Sequence, residues 1–532
     1  MRSKKFTPGL FAVLLFCSCA GKTQIWVDYN SFPEPEKSFL ASVLTGKELE
    51  KRGLVPCGGP GPGVITIAYQ GAWVTWEGSD TDSLYSFIPG EGGFLPLSRT
   101  CLVPRALLWE ETAGIGAAEA ARIFSGNRES PDIIPLGDLG PPYVGRRVDG
   151  LDAADPAYPL VLLEGLQFDR EGSLGENKNE SKKLWKKTAG LSELIMARLR
   201  AANSRTPEAS GVPVPRYEER PRLYRIAAGG DAMLARGVPE ILLKEGPEAV
   251  MGGTAALAGA ADLSLLNLEG AVTLRGEPAK KAYAFRFDPA VIRVLADSGF
   301  DAVLAANNHA FDYGLTGFLD TLDHLKRAGL YALGAGRSIS AAAAPFITGS
   351  EQFPVRVFGL ASFGRERSGW DGLDYAADDA RPGMLHAGKR GAELIRAQLE
   401  LLNDKEGLEI VFFHGGIEYA DYPDEDTRVL YTDLVEAGAD LVIGTHPHVE
   451  QGFEWVKGRP VFWSLGDYVF DDMADTPGGD RGIFIVLSFL ETKLVYLDVY
   501  PVFMNGPRTV ISSDTQLERF YRLTKELNPV QL

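Results

Sequence analysis

Short apolar runs that end in polar clusters recur along the second half of the chain. Leu223-Tyr224-Arg225-Ile226-Ala227-Ala228 leads to Asp231, and Leu263-Ser264-Leu265-Leu266-Asn267-Leu268 to Glu269. Ala302-Val303-Leu304-Ala305-Ala306 leads to Asn307-Asn308-His309, Leu408-Glu409-Ile410-Val411-Phe412-Phe413 to His414, and Ala439-Asp440-Leu441-Val442-Ile443 to Gly444-Thr445-His446-Pro447-His448. Runs of this length read as buried strands, and the segments between them carry apolar residues at helical spacing. Helices are predicted at 238–250, 289–298, 317–328, 388–402 and 426–437, with further strands near 355–360 and 460–463 and a closing hairpin at 482–490 and 493–502. This alternation favours a layered α/β sandwich.

Before residue 222 the pattern is different. Strand-like stretches at 63–69 and 102–104 alternate with a helix-like stretch at 116–124, which makes 20–168 a smaller α/β domain. Residues 169–221 turn polar and then proline-rich (Pro207, Pro213, Pro215, Pro221), a linker in which 191–202 still has a helical apolar face.

The polar clusters carry the chemistry. Four of the six histidines, His309, His414, His446 and His448, follow apolar runs. Open α/β sheets gather ligands at the carboxyl ends of their strands, so residues far apart in sequence meet there. In His446-Pro447-His448 the proline disfavours the helical region for His446. An extended segment would therefore aim both imidazoles the same way, a spacing that suits Zn, Mn, Fe or Ni. The alternative is a polar turn whose rings bond nearby backbone.

Composition narrows the setting. At 532 residues the chain exceeds one ordinary core, and two domains are expected. A net charge of −17 argues against a general nucleic-acid binder, and an anionic substrate would need a locally positive site that bound metal ions can supply. Arg2, Lys4 and Lys5 precede an apolar stretch at 10–16 that is too short to span a bilayer, and this reads as a secretory signal. Phe16-Cys17-Ser18-Cys19-Ala20 resembles a bacterial lipobox with Cys19 as the acylated residue, Cys17 or plain cleavage being the alternatives. The expected location is outside the cytoplasm, tethered to a bacterial membrane by lipid. Export would let Cys57 and Cys101 pair.

The second domain resembles the poly-γ-glutamate capsule biosynthesis protein CapA family. The motifs are Gly230-Asp231-Ala232-Met233, Asn267-Leu268-Glu269, Asn307-Asn308-His309-Ala310-Phe311-Asp312, His414-Gly415-Gly416-Ile417-Glu418-Tyr419, Gly444-Thr445-His446-Pro447-His448 and Ser464-Leu465-Gly466-Asp467-Tyr468-Val469-Phe470-Asp471. That family is similar to calcineurin-like metallophosphoesterases, and the resemblance implies a four-layer α/β sandwich holding two divalent metals (Mn, Fe or Zn). It implies Asp231 and His448 on one metal, Asn308, His414 and His446 on the other, Glu269 bridging, and His309 as a catalytic proton donor or anion-binding group. Asp312, Glu418 and Tyr419 fall beside these ligands as groups that orient imidazoles, and Arg236 is a candidate for the anionic substrate. Three positions depart from the pattern. Met233 stands where metallophosphoesterases have a metal-binding histidine, Gly415 where tryptophan is common, which is expected to widen the pocket, and Asp467 where asparagine is common. In the first domain, 113–126 and 148–160 are similar to segments of periplasmic substrate-binding proteins.

These readings converge on an exported, lipid-anchored protein of surface-polymer biosynthesis that hydrolyses or transfers an amide or phosphoester of an anionic polymer. A phosphoesterase or nucleotidase outside the membrane is the second expectation, and a non-catalytic surface binding protein the third.

Overall fold

A computed structural model describes residues 222–366, 369–403, 405–473, 478–512 and 514–529, together with strand segments and a few single residues before them. Cys57, the expected helix at 116–124, the expected 169–221 linker beyond Arg170 and the chain up to Cys17 lie outside the described residues, and residues 169–170 end a strand rather than open the linker. The chain divides into two compact units, the second containing Leu223–Leu532. In the first, Val161–Arg170 lies between Ile65–Val74 and Gly93–Leu107, antiparallel to both. Cys19 sits in a two-residue strand, Ser18–Cys19, paired with Lys22–Trp26.

The second unit is built on two sheets. The first contains β1 (Tyr224–Met233), β2 (Leu263–Leu268), β3 (Ala302–Leu304) and β4 (Tyr331–Leu333), neighbours that run parallel. The second contains β5 (Phe346–Gly349), β6 (Pro354–Ser362), β7 (Leu408–Gly415), β8 (Leu441–Thr445), β9 (Glu450–Val456) and β10 (Arg459–Leu465). Its β6, β7, β8 and β10 are parallel, and β5 and β9 close its edges antiparallel. On the side of β1 away from β2 the first sheet is completed by β11 (Asp467–Phe470), which pairs with the end of β1, and by β12 (Arg481–Leu490), β13 (Lys493–Asn505) and β14 (Arg508–Ile511), an antiparallel run whose β12 pairs with the start of β1.

Period-two alternation sorts the second sheet's side chains into two cores. Ile410, Phe412, Leu441, Ile443 and Phe462 join Ile226, Leu265 and Ile485 of the first sheet in one cluster. Val411, Phe413, Val442 and Trp463 face the other way, against α4 (Ala392–Leu402) and α5 (Glu425–Ala437) through Ile395, Leu399, Tyr431 and Leu434. The first sheet is covered by α1 (Val238–Glu245), α2 (Pro289–Asp297) and α3 (Gly314–Ala328), whose Leu242, Ile292 and Phe318 complete the larger core. The result is the expected α/β sandwich, two facing sheets with helices outside each.

Three details differ from the sequence reading. The helix predicted over 238–250 is two pieces, because Gly246 takes φ 88° and hands over to Pro247, which cannot continue the hydrogen-bond ladder. The helix predicted from 388 begins at Ala392, after a kinked turn in which Arg390 has φ 63°. A last helix, α6 (Asp514–Leu527), packs on β9 and was not foreseen.

Candidate metal centre

The parallel strands of each sheet end at one edge, and there the polar clusters meet. Asp231 lies near the end of β1, where an added Cβ on the preceding Gly230 would stand 1.8 Å from the Gly466 carbonyl oxygen. Only glycine permits that approach, and through it the Asp231 N–H donates to Gly466 O at 3.0 Å. Asn267 and Glu269 close β2, and Asn307, Asn308 and His309 form the turn after β3. From the second sheet come His414, beside Thr445 in the β7–β8 register, and then His446 and His448. The seven residues expected at the site, Asp231, Glu269, Asn308, His309, His414, His446 and His448, are all buried, none more than 8% exposed.

The two imidazoles of the His-Pro-His segment do not converge by strand alternation. Strand β8 stops at Thr445, and His446 and His448 both take left-handed backbone, with φ 101° and 59°. The strain is held by contacts on both sides. The His446 N–H donates to Asp231 Oδ2 at 3.0 Å, and Pro447 O accepts from the Tyr419 N–H at 2.8 Å.

A hydrogen-bond web joins the sheets. The Asn267 amide donates to Asp231 Oδ1 at 2.7 Å and lies 3.1 Å from His414 Nδ1; Asn307 in turn donates to Asn267 Oδ1 at 3.1 Å. His414 Nε2 is 3.1 Å from Asn308 Oδ1. His448 Nδ1 is 2.8 Å from Asp467 Oδ1, with Nε2 turned toward Glu269 Oε1 at 3.8 Å. His309 is held at Nδ1 by Asp312 Oδ2, 2.6 Å away, and its ring stacks on Phe285 at 4.3 Å between centroids, which leaves Nε2 3.8 Å from Glu269 Oε1.

Burial and charge then divide the protonation states. Burial pushes Asp231 up, but the hydrogen bond and charge of His414 and the charge of His448 outweigh it and bring its carboxyl down to about 2. Glu269 is held well above the carboxylate range by burial and by Asp231. Burial and the neighbouring His414 hold His446 well below the usual imidazole range, whereas His448, despite burial, is raised by Asp467 and Glu269. Burial lifts Asp467 to about 7 against the pull of His448.

Buried atoms without partners mark where something is to be bound. Glu269 Oε1, His446 Nδ1 and Asp467 Oδ2 have no hydrogen-bond partner. Among the described residues, Asp231, Glu269 and His414 form one group whose donor atoms lie within 4.8 Å of one another, and Asp231, His448 and Asp467 form a second. Carboxylate, imidazole and amide oxygen donors suit a divalent Mn, Fe or Zn ion, which would satisfy those orphaned atoms, so the residues fit such a group.

The remaining expected residues are spread around this cluster. The Tyr419 ring stacks on His448 at 5.8 Å and is 41% exposed, while Glu418 is exposed. Arg236 donates to Asp471 O and lies 5.5 Å over the Phe285 ring. Met233 is fully buried in the core, its sulfur accepting from the Ala235 N–H at 3.3 Å. Gly415 does not widen a pocket, because a Cβ there would meet Ser362 O at 1.9 Å; the position is a close approach of β6 and β7. His386 is buried and accepts from the Gly388 N–H at 3.1 Å, a local structural bond.

Sequence reasoning missed Asn267, Asp467 and Lys281 as parts of the site. Lys281 is 1% exposed at its side chain, pairs with Asp312 at 3.0 Å and Glu366 at 2.9 Å, donates to Asn308 O at 2.6 Å and lies 4.3 Å over the Trp370 ring. It fixes the turn that carries Asn308 and His309. Its signal in the sequence was only a lysine in a polar loop.

Residues 225–472, which hold every one of these groups, match the family described as bacterial capsule synthesis protein PGA_cap. A Mycobacterium tuberculosis protein named as a probable polyglutamine synthesis accessory protein is 30% identical over 322 residues, 52% of this chain and 81% of its own length. The chain belongs to this capsule synthesis family. The PGA biosynthesis protein CapA of Bacillus subtilis is 31% identical over 244 residues, 46% of this chain, and the chain spans 62% of that relative's length. The capsule biosynthesis protein CapA of Bacillus anthracis is 29% identical over 56% of this chain and 72% of its own. A solved 5'-nucleotidase from Candida albicans is similar over 57% of each chain at 11% identity and a TM-score of 0.30, too distant to bear on function.

Proposed function

We propose that this PGA_cap family member is an exported, lipid-anchored protein of surface-polymer biosynthesis, of the poly-γ-glutamate type. Its second unit would hold two divalent ions and hydrolyse or transfer an amide or phosphoester bond of an anionic polymer. The observation that carries the reading is the meeting of carboxylates and imidazoles between two sheets, with Glu269 Oε1 and His446 Nδ1 buried and unpartnered. The names of the CapA relatives support the polymer class.

Asp231 and His448 would hold one ion, Asn308, His414 and His446 the other, with Glu269 between them. When bound, such a pair supplies a Lewis-acidic centre that activates water and neutralises developing negative charge. The chain's own residues do the positioning. Asp231 fixes the His446 backbone, and Asn267 ties Asp231 to His414 across the sheets. Asp312 accepts the His309 Nδ1–H and so leaves Nε2 facing the Glu269 side, where it would take up a proton released by the attacking water and pass it to the leaving group. Phe285 covers one face of that ring and keeps water from it.

The test is turnover by the full chain with added Mn, comparing a γ-glutamyl polymer with simple phosphodiesters. Cleavage or transfer on the polymer, lost in His309→Ala, is the expected result. Turnover of phosphodiesters alone would replace the reading with an extracytoplasmic phosphoesterase. Neither activity from a metal-loaded protein would leave a binding role and contradict the enzyme.

A further inference from the structure

We propose that Asp467 completes the metal position of Asp231 and His448 as a further ligand, through its buried Oδ2. The inference rests on the dinuclear reading above and deepens it.

Met233 cannot serve that position. Its side chain is fully buried in the hydrophobic core, and its sulfur is occupied by the Ala235 N–H. Asp467 arrives from the neighbouring strand instead. In the β1–β11 register Asp467 lies directly beside Asp231, and the contact of Gly230 with Gly466 O draws the two strands together at that point. Both carboxylates are 0% exposed, and with His448 their donor atoms lie within 4.8 Å of one another.

The two oxygens of Asp467 have different environments. Oδ1 is engaged by His448 Nδ1 at 2.8 Å, which turns His448 Nε2 toward Glu269. Oδ2 is buried and has no hydrogen-bond partner. Among the described residues the ion-pair partner of Asp467 is His448, and no lysine or arginine is paired with it. A fully buried carboxylate oxygen with no donor is costly, and a cation beside Asp231 removes that cost. An asparagine at this place would keep a hydrogen bond to His448 but could not supply the charge. The aspartate therefore offers a charged donor beside Asp231, where the core-buried Met233 offers none.

The experiment is Co(II) titration of the full chain, purified without chelator and then stripped, followed by visible absorption and elemental analysis. Wild type is compared with Asp467→Asn and Asp467→Ala. The expected result is about two equivalents in wild type. In both variants one equivalent is weakened by at least about ten-fold, with an altered absorption band, and the other titrates as in wild type. Retention of that second equivalent shows that the fold is intact, and the isosteric asparagine carries the test if the alanine variant fails to fold. Asp467→Asn binding both equivalents with wild-type affinity overturns the proposal. So does a loss confined to Asp467→Ala, which would make Asp467 a positioning residue for His448. No cobalt in wild type would overturn the metal reading itself, a different failure visible before any variant is made.

Discussion

The first sheet delivers carboxylates and amides to the candidate centre, Asp231, Glu269 and Asp467 with Asn267 and Asn308, whereas the second delivers imidazoles, His414, His446 and His448. His309 is the one imidazole from the first side, and it is tied to a carboxylate of its own, Asp312. Neither sheet alone makes a useful site. Carboxylates alone would repel one another in a buried space, and imidazoles alone would be neutral and without anchors. Facing each other, they sort their protons, with Asp231 brought down to about 2 and Glu269 held up. The two sides also differ in support. The first rests on the buried Lys281 network, and the second on backbone strain at His446 and His448 held by Asp231 and by Tyr419.

The largest effect is expected at that support. Lys281→Met leaves Asp312 buried without its cation, and unfolding by denaturant should report a loss of about 3–5 kcal/mol. A loss below about 1 kcal/mol would mean that the first side does not depend on the ion pair. Next come the sheets themselves. Glu269→Ala and His446→Ala each remove an orphaned donor from opposite sides, and each should weaken metal binding by at least about 10–100-fold in calorimetric titration. If only one of them matters, the joint site is wrong.

The proton inventory sharpens the comparison further. In the metal-free protein burial holds the Asp467 carboxyl at about 7, so it carries a proton part of the time near neutrality, and Glu269 and His448 are shifted upward in the same direction. Asp231 and His446 are already deprotonated. A cation must displace the first set, so its affinity should rise with pH through neutrality, by up to about ten-fold per unit for each proton released. Calorimetry in buffers of different ionisation enthalpy counts those protons, and uptake with none released would contradict the assignment. The smallest effect is expected at Tyr419→Ala, which removes a half-exposed ring from His448 and should cost about 0.5–1.5 kcal/mol of metal binding or stability.

The strand ends were legible in the sequence because fully buried strands leave continuous apolar runs, and the residue after each run has to face the edge. That logic placed Asp231, Glu269, Asn308 and His414 together from positions as distant as 231 and 414. It failed where backbone geometry depends on tertiary contacts. The left-handed turns at His446 and His448 exist because Asp231 and Tyr419 hold them, and no local propensity announces that. Gly415 read as space and is a close backbone approach. Asp467 read only as a departure from the family pattern, yet it is buried against His448, because the register of β11 beside β1 is set by strands that local pattern does not pair. Lys281 was invisible for the same reason, its partners coming from segments at 312 and 366.

Metal content of the full chain, purified without chelator and measured by elemental analysis, tests the central claim most directly. The account predicts about two equivalents of Mn, Fe or Zn, with at least one lost in Glu269→Ala and in His446→Ala. No bound metal, even after reconstitution with each of the three ions, would contradict it.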